Sequence, residues 1–199
     1  MPKISAPTLA EHQAYQRHAL VAAAVEILAD EGVSALTPAS AGRRASLARS
    51  STYQYFDSGA ALLATAVEAA QADVQDAVTR ATDAADGPDA VLAAYVDAVL
   101  SLATTTPSRA MRALDHAELP PMCTARLEEL RAAQRQPLVD ALGERGTPEP
   151  GPTAELVAAL VDAGAAQCVA GNPVDVVRSR VLSLVLGGVG PGVTGGRRA

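Results

Sequence analysis

Along the first third of the chain, apolar and small residues recur in steps of three and four. Leu20, Ala24, Ile27 and Leu28 fall on one side of a helix that is under way by about Tyr15, and Gly32 follows its last turn as a C-terminal cap. Thr8 and Glu11 have the T-x-x-E spacing of a capping box, a possible helix start further upstream in the N-terminal arm. In "TPASAGRRA" (37–45), Thr37 can cap a helix and Pro38 suits its first position, where no N–H is needed. The spacing predicts that this helix is short, that "SLA" (46–48) turns the chain, and that a third short helix runs from near Arg49 to near Phe56. Asp57 or Ser58 then caps a long helix from about Gly59 to Thr82, which "DGPD" (86–89) breaks. Further helical segments are expected at about 89–104, 107–118, 121–143, 153–170 and 173–188, divided by Pro107, Pro120–Pro121, "GERGTPEPGPT" (143–153) and "GNP" (171–173). No stretch alternates β-branched and polar residues as a strand would. The expectation is an all-α protein of about nine helices, without internal repeats, ending in a disordered tail over 190–199.

Composition supports this and adds a clue. Of 199 residues, 49% are apolar and 19% charged, enough to bury a core; the apolar set is mostly Ala, Val and Leu, and Ala and Leu favour helix. Aromatics are scarce: four Tyr and one Phe, and Tyr53, Tyr55 and Phe56 sit within four positions. A core would distribute its aromatics; a binding surface can use them side by side.

Charge is unevenly placed. The chain carries a net −6, yet residues 1–55 sum to +1, and residues 32–56 hold Arg43, Arg44 and Arg49 without a single acid. Such an acid-free island suits the phosphates of a nucleic acid. It lies on the two short helices, whose arrangement after a longer one is a helix-turn-helix layout. In that layout the third helix enters the DNA major groove, with Arg49, Ser50 and Ser51 in its first turn. Tyr53 and Gln54 are expected at the groove wall, with Phe56 turned inward to lock the helices together.

Residues 15–63, above all "GVSALTPASAGRRASLARSSTYQYFDSGAALL" (32–63), resemble the DNA-binding domain of the tetracycline-repressor (TetR) family. The resemblance rests on Gly32, Thr37, Arg44–Ala45, Tyr53–x–Tyr55–Phe56, Ser58 and Ala61–Leu62–Leu63. Beyond residue 63 it extends only to helix count and length. It implies phosphate contacts for Thr37 and Tyr53, and base or backbone contacts for Arg49, Ser51, Gln54 and Tyr55. Four positions depart from the family pattern: Ser46 for a turn Gly, Ala48 for a capping Ser, Thr52 for Leu, and Gly59 for Lys. A left-handed backbone at Ser46 would cost about 1–2 kcal/mol, and the missing cap at Ala48 ~1 kcal/mol.

The resemblance also implies a division into an arm and DNA-binding domain over 1–58 and a ligand-binding and dimerisation domain over 59–189. Candidate pocket residues are the larger or polar groups of otherwise aliphatic segments: Tyr95, Met111, His116, Met122, Gln134, Gln167 and Cys168. His116 reads equally as a solvated or capping residue, and the methionines as apolar fillers. Val174, Val177, Val181, Leu184 and Gly188 recur at helical spacing, a seam fit for a homodimer interface or for an intramolecular core helix.

Other functions find little support. Cys123 and Cys168 lie far apart and read as ordinary buried thiols, so neither a metal site nor a cofactor is expected. Three His, none in a nucleophile motif, and no Gly-rich phosphate loop argue against an enzyme. No signal peptide or membrane-length apolar run is found, so the expected location is cytoplasmic, without a membrane partner. The reading is a homodimeric repressor of double-stranded DNA, released from a palindromic operator by a small apolar effector. The alternative is a ligand-independent DNA-binding protein with a filled helical core.

Overall fold

The computed structural model describes residues 9–188 apart from 116, and these are all-helical. Among them nine α-helices follow one another: α1 (Leu9–Glu31), α2 (Pro38–Arg44), α3 (Arg49–Tyr55), α4 (Gly59–Asp83), α5 (Pro88–Leu102), α6 (Thr106–Ala113), α7 (Pro121–Glu144), α8 (Pro150–Val169) and α9 (Val174–Gly188). A single 3-10 turn, Val33–Ala35, separates α1 from α2. The capping box expected at Thr8 and the tail over 190–199 lie outside the described residues.

The punctuation acts much as the sequence implies. The Gly32 N–H reaches back to the Ile27 carbonyl at 3.1 Å, closing the last turn of α1. Ser58, rather than Asp57, caps α4, its Oγ accepting from the Ala61 N–H at 3.2 Å. Two ends differ from expectation. α6 stops at Ala113 instead of near 118, because Leu114 and Asp115 bond back to Met111 and Arg112 in tight turns ahead of Pro120 and Pro121. α8 starts at Pro150, since Pro150 and Pro152 lie in its first turn, where their missing N–H groups leave no bond unmade.

The chain divides into two compact units. The first holds residues 1–72 and 106–127, and the second 73–105 and 128–199. In the first, α6 packs along α1, α2 folds against α1, and α3 packs on α2. Its interior is built from Leu20, Ile27 and Leu28 of α1, with Phe56, Leu62 and Ala110. In the second, Val78, Leu92, Val96, Leu138, Val161 and Val177 anchor one aliphatic core from the later part of α4, α5, α8, α9 and most of α7.

Candidate nucleic-acid interface and apolar cavity

The two short helices are fixed by contacts that the local sequence provides. Thr37 caps α2: its Oγ accepts from the Ser40 N–H at 3.0 Å, and the Ser40 Oγ accepts from the Thr37 N–H at 2.9 Å. α2 and α3 cross at Gly42, where a Cβ would run into Oγ1 of the fully buried Thr52. Thr52 donates its hydroxyl to the Ala48 carbonyl at 3.3 Å, so a small polar residue serves where a larger apolar one would have to displace α2. Ser46, in the turn between them, has φ +57°, the left-handed conformation that its position implied. Ala48 starts α3 without a side-chain cap.

The far end of α3 is pinned as well. Phe56 is 3% exposed, and the Arg17 guanidinium lies 5.2 Å from its ring centroid. With Thr52 and Phe56 turned inward, the opposite face presents Tyr53, 44% exposed, and the exposed Gln54. Thr37 and Arg43 are exposed beside them, and Ser51 is half-buried. Arg49 and Ser50 form the first turn of α3, and their side chains lie outside the described residues.

Two of the expected DNA contacts also have partners within the fold. Tyr55 donates its hydroxyl to Gln16 Oε1 at 2.7 Å, binding α3 to α1. Arg44 pairs with Glu31 at 2.6 Å, Asp30 at 3.2 Å and Glu26 at 3.9 Å, so carboxylates of α1 offset its charge. Asp30 is shared: Arg109 of α6 donates to its other oxygen at 3.0 Å and to the Ala29 carbonyl at 3.1 Å, in the last turn of α1. Sequence reading missed Arg109, which lies 79 residues from Asp30 and carries no local signal.

A cavity of about 200 Å³ lies between α4 and α7 within the first unit, lined by Ala64, Val67, Cys123 and Arg126. Arg126 Nε donates to Glu68 Oε1 on α4 at 3.1 Å. None of these residues was a pocket candidate. Space remains here because two of the lining side chains, Ala64 and Val67, are small.

The expected pocket residues are distributed over both units. Tyr95 and Cys168 are buried in the aliphatic core of the second unit. Burial first, and the negative charge of Asp162 second, push the Tyr95 phenol well above its ordinary range, while Arg135 partly opposes them. Gln134 is half-buried in the second unit and Gln167 exposed, whereas Met111 belongs to the first. His116 and the Met122 side chain lie outside the described residues, although Cys123, next to Met122, is on the cavity wall. Both cysteines are free and buried, and among the described residues no cluster of His, Cys, Asp or Glu could hold a metal ion.

The seam along α9 is also divided. Val177 and Val181 are 1% and 4% exposed and pack on α8, where a Cβ on Gly164 would lie 3.0 Å from Val181 and 3.3 Å from Val177. They are core, because the close approach at Gly164 draws them inside their own chain, and Val174 lies at the core's edge. Leu184 faces outward at 59% exposure, as do Leu156, Val169 and Val176; the environment of Gly188 is outside the described residues. Among the described residues no single helix is long and apolar enough to cross a membrane.

Several solved structures with this arrangement are transcription regulators. One from Rhodococcus sp. Rha1 has a TM-score of 0.76 at 21% identity, covering 87% of this chain and 95% of that one. The fatty acid degradation regulator FadR of Bacillus halodurans has a TM-score of 0.74 at 15% identity, with 87% and 95% covered. A TetR family transcription regulator from Marinobacter aquaeolei VT8 has a TM-score of 0.71 at 18% identity, with 88% and 97% covered. The sequence matches no protein-family model and none of the curated proteins. At these identities the likeness is one of fold.

Proposed function

From a chain with the fold of the TetR-family transcription regulators, we infer a homodimeric DNA-binding repressor that a small apolar ligand releases from a palindromic operator. The observation that carries this reading is the face of α3. Thr52 and Phe56 are buried on one side, which leaves Tyr53 and Gln54 exposed on the other, near the end of the acid-free stretch 32–56. In the proposed complex α3 lies in the major groove, Gln54 reads a base edge, and Tyr53, Thr37 and Arg43 hold phosphates. Arg49 and Ser50 join them from the first turn. Arg44 and Tyr55 act indirectly, by holding α2 and α3 on α1.

Two recognition helices must meet successive major grooves about 34 Å apart, which calls for two copies. The outward apolar residues of α8 and α9, Leu156, Val169, Val176 and Leu184, are the proposed contact between them. Release follows from α4. This helix begins three residues after Phe56, and two turns later supplies Ala64 and Val67 to the cavity wall. An occupant that favours another position of α4 thereby favours another position of α3, provided it binds the DNA-incompetent form more tightly. That a regulator of fatty acid degradation shares this fold agrees with an apolar effector.

The extensive buried aliphatic core of the second unit favours a second reading, a DNA-binding protein without an effector. Selection of bound fragments from random DNA by the purified protein tests what both readings share. A palindromic consensus is expected, and Gln54→Ala should relax it at particular positions by about 1–3 kcal/mol. Recovery of no consensus, or of an unchanged one with the variant, would refute base reading by α3.

A further inference from the structure

The cavity wall is apolar at Ala64, Val67 and the buried Cys123, and among its described residues the one charge is cationic, Arg126. Its partner Glu68 sits one position beyond Val67, and both side chains of the pair are about half exposed, at 50% and 52%. An exposed pair of this kind contributes little in water. Glu68 can therefore turn to solvent at small cost if another carboxylate takes its place. The guanidinium fork favours that replacement, because it can meet both oxygens of a carboxylate at once.

We propose that the cavity binds a small monocarboxylic acid, whose apolar body fills the space between α4 and α7 and whose carboxylate takes Arg126 from Glu68. Size limits the body. An apolar cavity of about 150 Å³ holds a benzene ring, so about 200 Å³ holds a ring with a short substituent or a short alkyl chain. Charge limits the head. A monoanion exchanges one for one with Glu68, whereas a phosphate dianion would add repulsion from Glu68 itself. An ammonium compound would need the acid on the wall, and the wall carries the base. This narrows the apolar ligand of the proposed function to one with an apolar body and an anionic head, and rests on that function for the step from occupancy to release: exchange frees α4 from α7 at Glu68 while the body wedges the same two helices.

The test is calorimetric titration of the purified protein, at neutral pH, with benzoate, phenylacetate and hexanoate, each against its own carboxamide. The acids are expected to bind about tenfold more tightly than their amides. Arg126→Gln should abolish that preference, and Glu68→Gln should strengthen the acids several-fold while leaving the amides unchanged. Thermal melts identify any variant that fails to fold, in which case Arg126→Lys, which retains charge without the fork, should keep only part of the preference. Amides that bind as well as acids, a preference that survives Arg126→Gln, or no acid binding at millimolar concentration would each overturn the proposal. Operator affinity measured alongside separates the two readings. Acids bound through Arg126 without operator release uphold the site and refute effector control. Release by amides as readily as by acids refutes the carboxylate and upholds effector control.

Discussion

Where the second unit closes around Leu92, Val96, Leu100, Leu138 and Leu142, all nearly without solvent exposure, the first ties its short helices with polar contacts and leaves a cavity. The difference follows from helix length. Helices of seven residues, such as α2 and α3, cannot persist alone and bury too little surface to be held by packing only. Thr37–Ser40, Tyr55–Gln16 and the carboxylates around Arg44 fix them by direction instead. Each such contact contributes on the order of 1 kcal/mol, so several can rearrange without unfolding the unit. A close-packed aliphatic core has no comparable freedom. The part of the chain proposed to move thus contains weaker, directional ties.

The sharpest way to break this contrast is to place one charge on each side of α9. Val181→Asp would bury an unpaired carboxylate against Gly164 and Leu100 and is expected to cost at least about 3 kcal/mol, enough to unfold much of the second unit. Leu184→Asp, at a position 59% exposed, should change stability by about 0.5 kcal/mol or less. If the outer face of α9 meets a second copy, that same variant should sediment as a folded monomer and lose operator affinity. Equal melting temperatures for the two variants would remove Val181 from the core and defeat the comparison.

α9 also shows what a sequence can and cannot disclose. Spacing at three and four identifies a seam through Val177 and Val181, but spacing does not say whether the partner is α8 of the same chain or a second copy. Helix ends were legible because Gly, Pro, Ser and Thr act locally, as at Gly32, Thr37 and Ser58. The inward turn of Phe56 and the outward one of Tyr53 were legible for the same reason, since a two-turn helix allows few faces. The Asp30–Arg109 pair joins residues 79 apart, and the cavity joins α4 to α7 through residues too small to attract notice. Long-range pairing and missing volume leave no periodic mark.

Within the first unit, the crossing of α2 and α3 should be its least tolerant point. Gly42→Ala drives a methyl into Oγ1 of Thr52 and is expected to destabilise by about 1–3 kcal/mol. Thr52→Ala removes that oxygen, so the double variant should be more stable than the two single effects predict, by on the order of 1 kcal/mol. Denaturant titration of the four proteins measures this coupling. Strict additivity would mean that the helices do not cross as closely as Gly42 and Thr52 imply.

A smaller effect should separate two tyrosines on one helix. Tyr55→Phe loses the bond to Gln16 and should lower stability by about 0.5–1.5 kcal/mol. Tyr53→Phe should weaken binding to all DNA sequences by a similar factor, because a phosphate contact positions without specifying. Melting curves and operator titrations of both variants check the assignment. A change of base preference in Tyr53→Phe would refute a phosphate contact there.

The smallest expected change is a gain. Ser46 holds φ +57° between α2 and α3, a conformation that costs a side-chain-bearing residue about 1–2 kcal/mol. Glycine adopts it without that cost, but also makes the unfolded chain more flexible, which takes back about 0.4–1 kcal/mol. Ser46→Gly should therefore stabilise the protein by roughly 0.5–1 kcal/mol. The N–H of residue 46, which donates to the Arg43 carbonyl at 3.2 Å, is retained in every variant and cannot explain the difference. Two further substitutions isolate the backbone as the cause. Asn tolerates the left-handed region better than most residues and should fall between Gly and Ser. Ala keeps the Cβ and should be no more stable than Ser. Chemical denaturation of the four proteins should then rank them Gly, Asn, Ser, Ala. A flat series would show that this turn stores no strain, and a loss of stability in Ser46→Gly would show that the serine hydroxyl contributes more than its backbone costs.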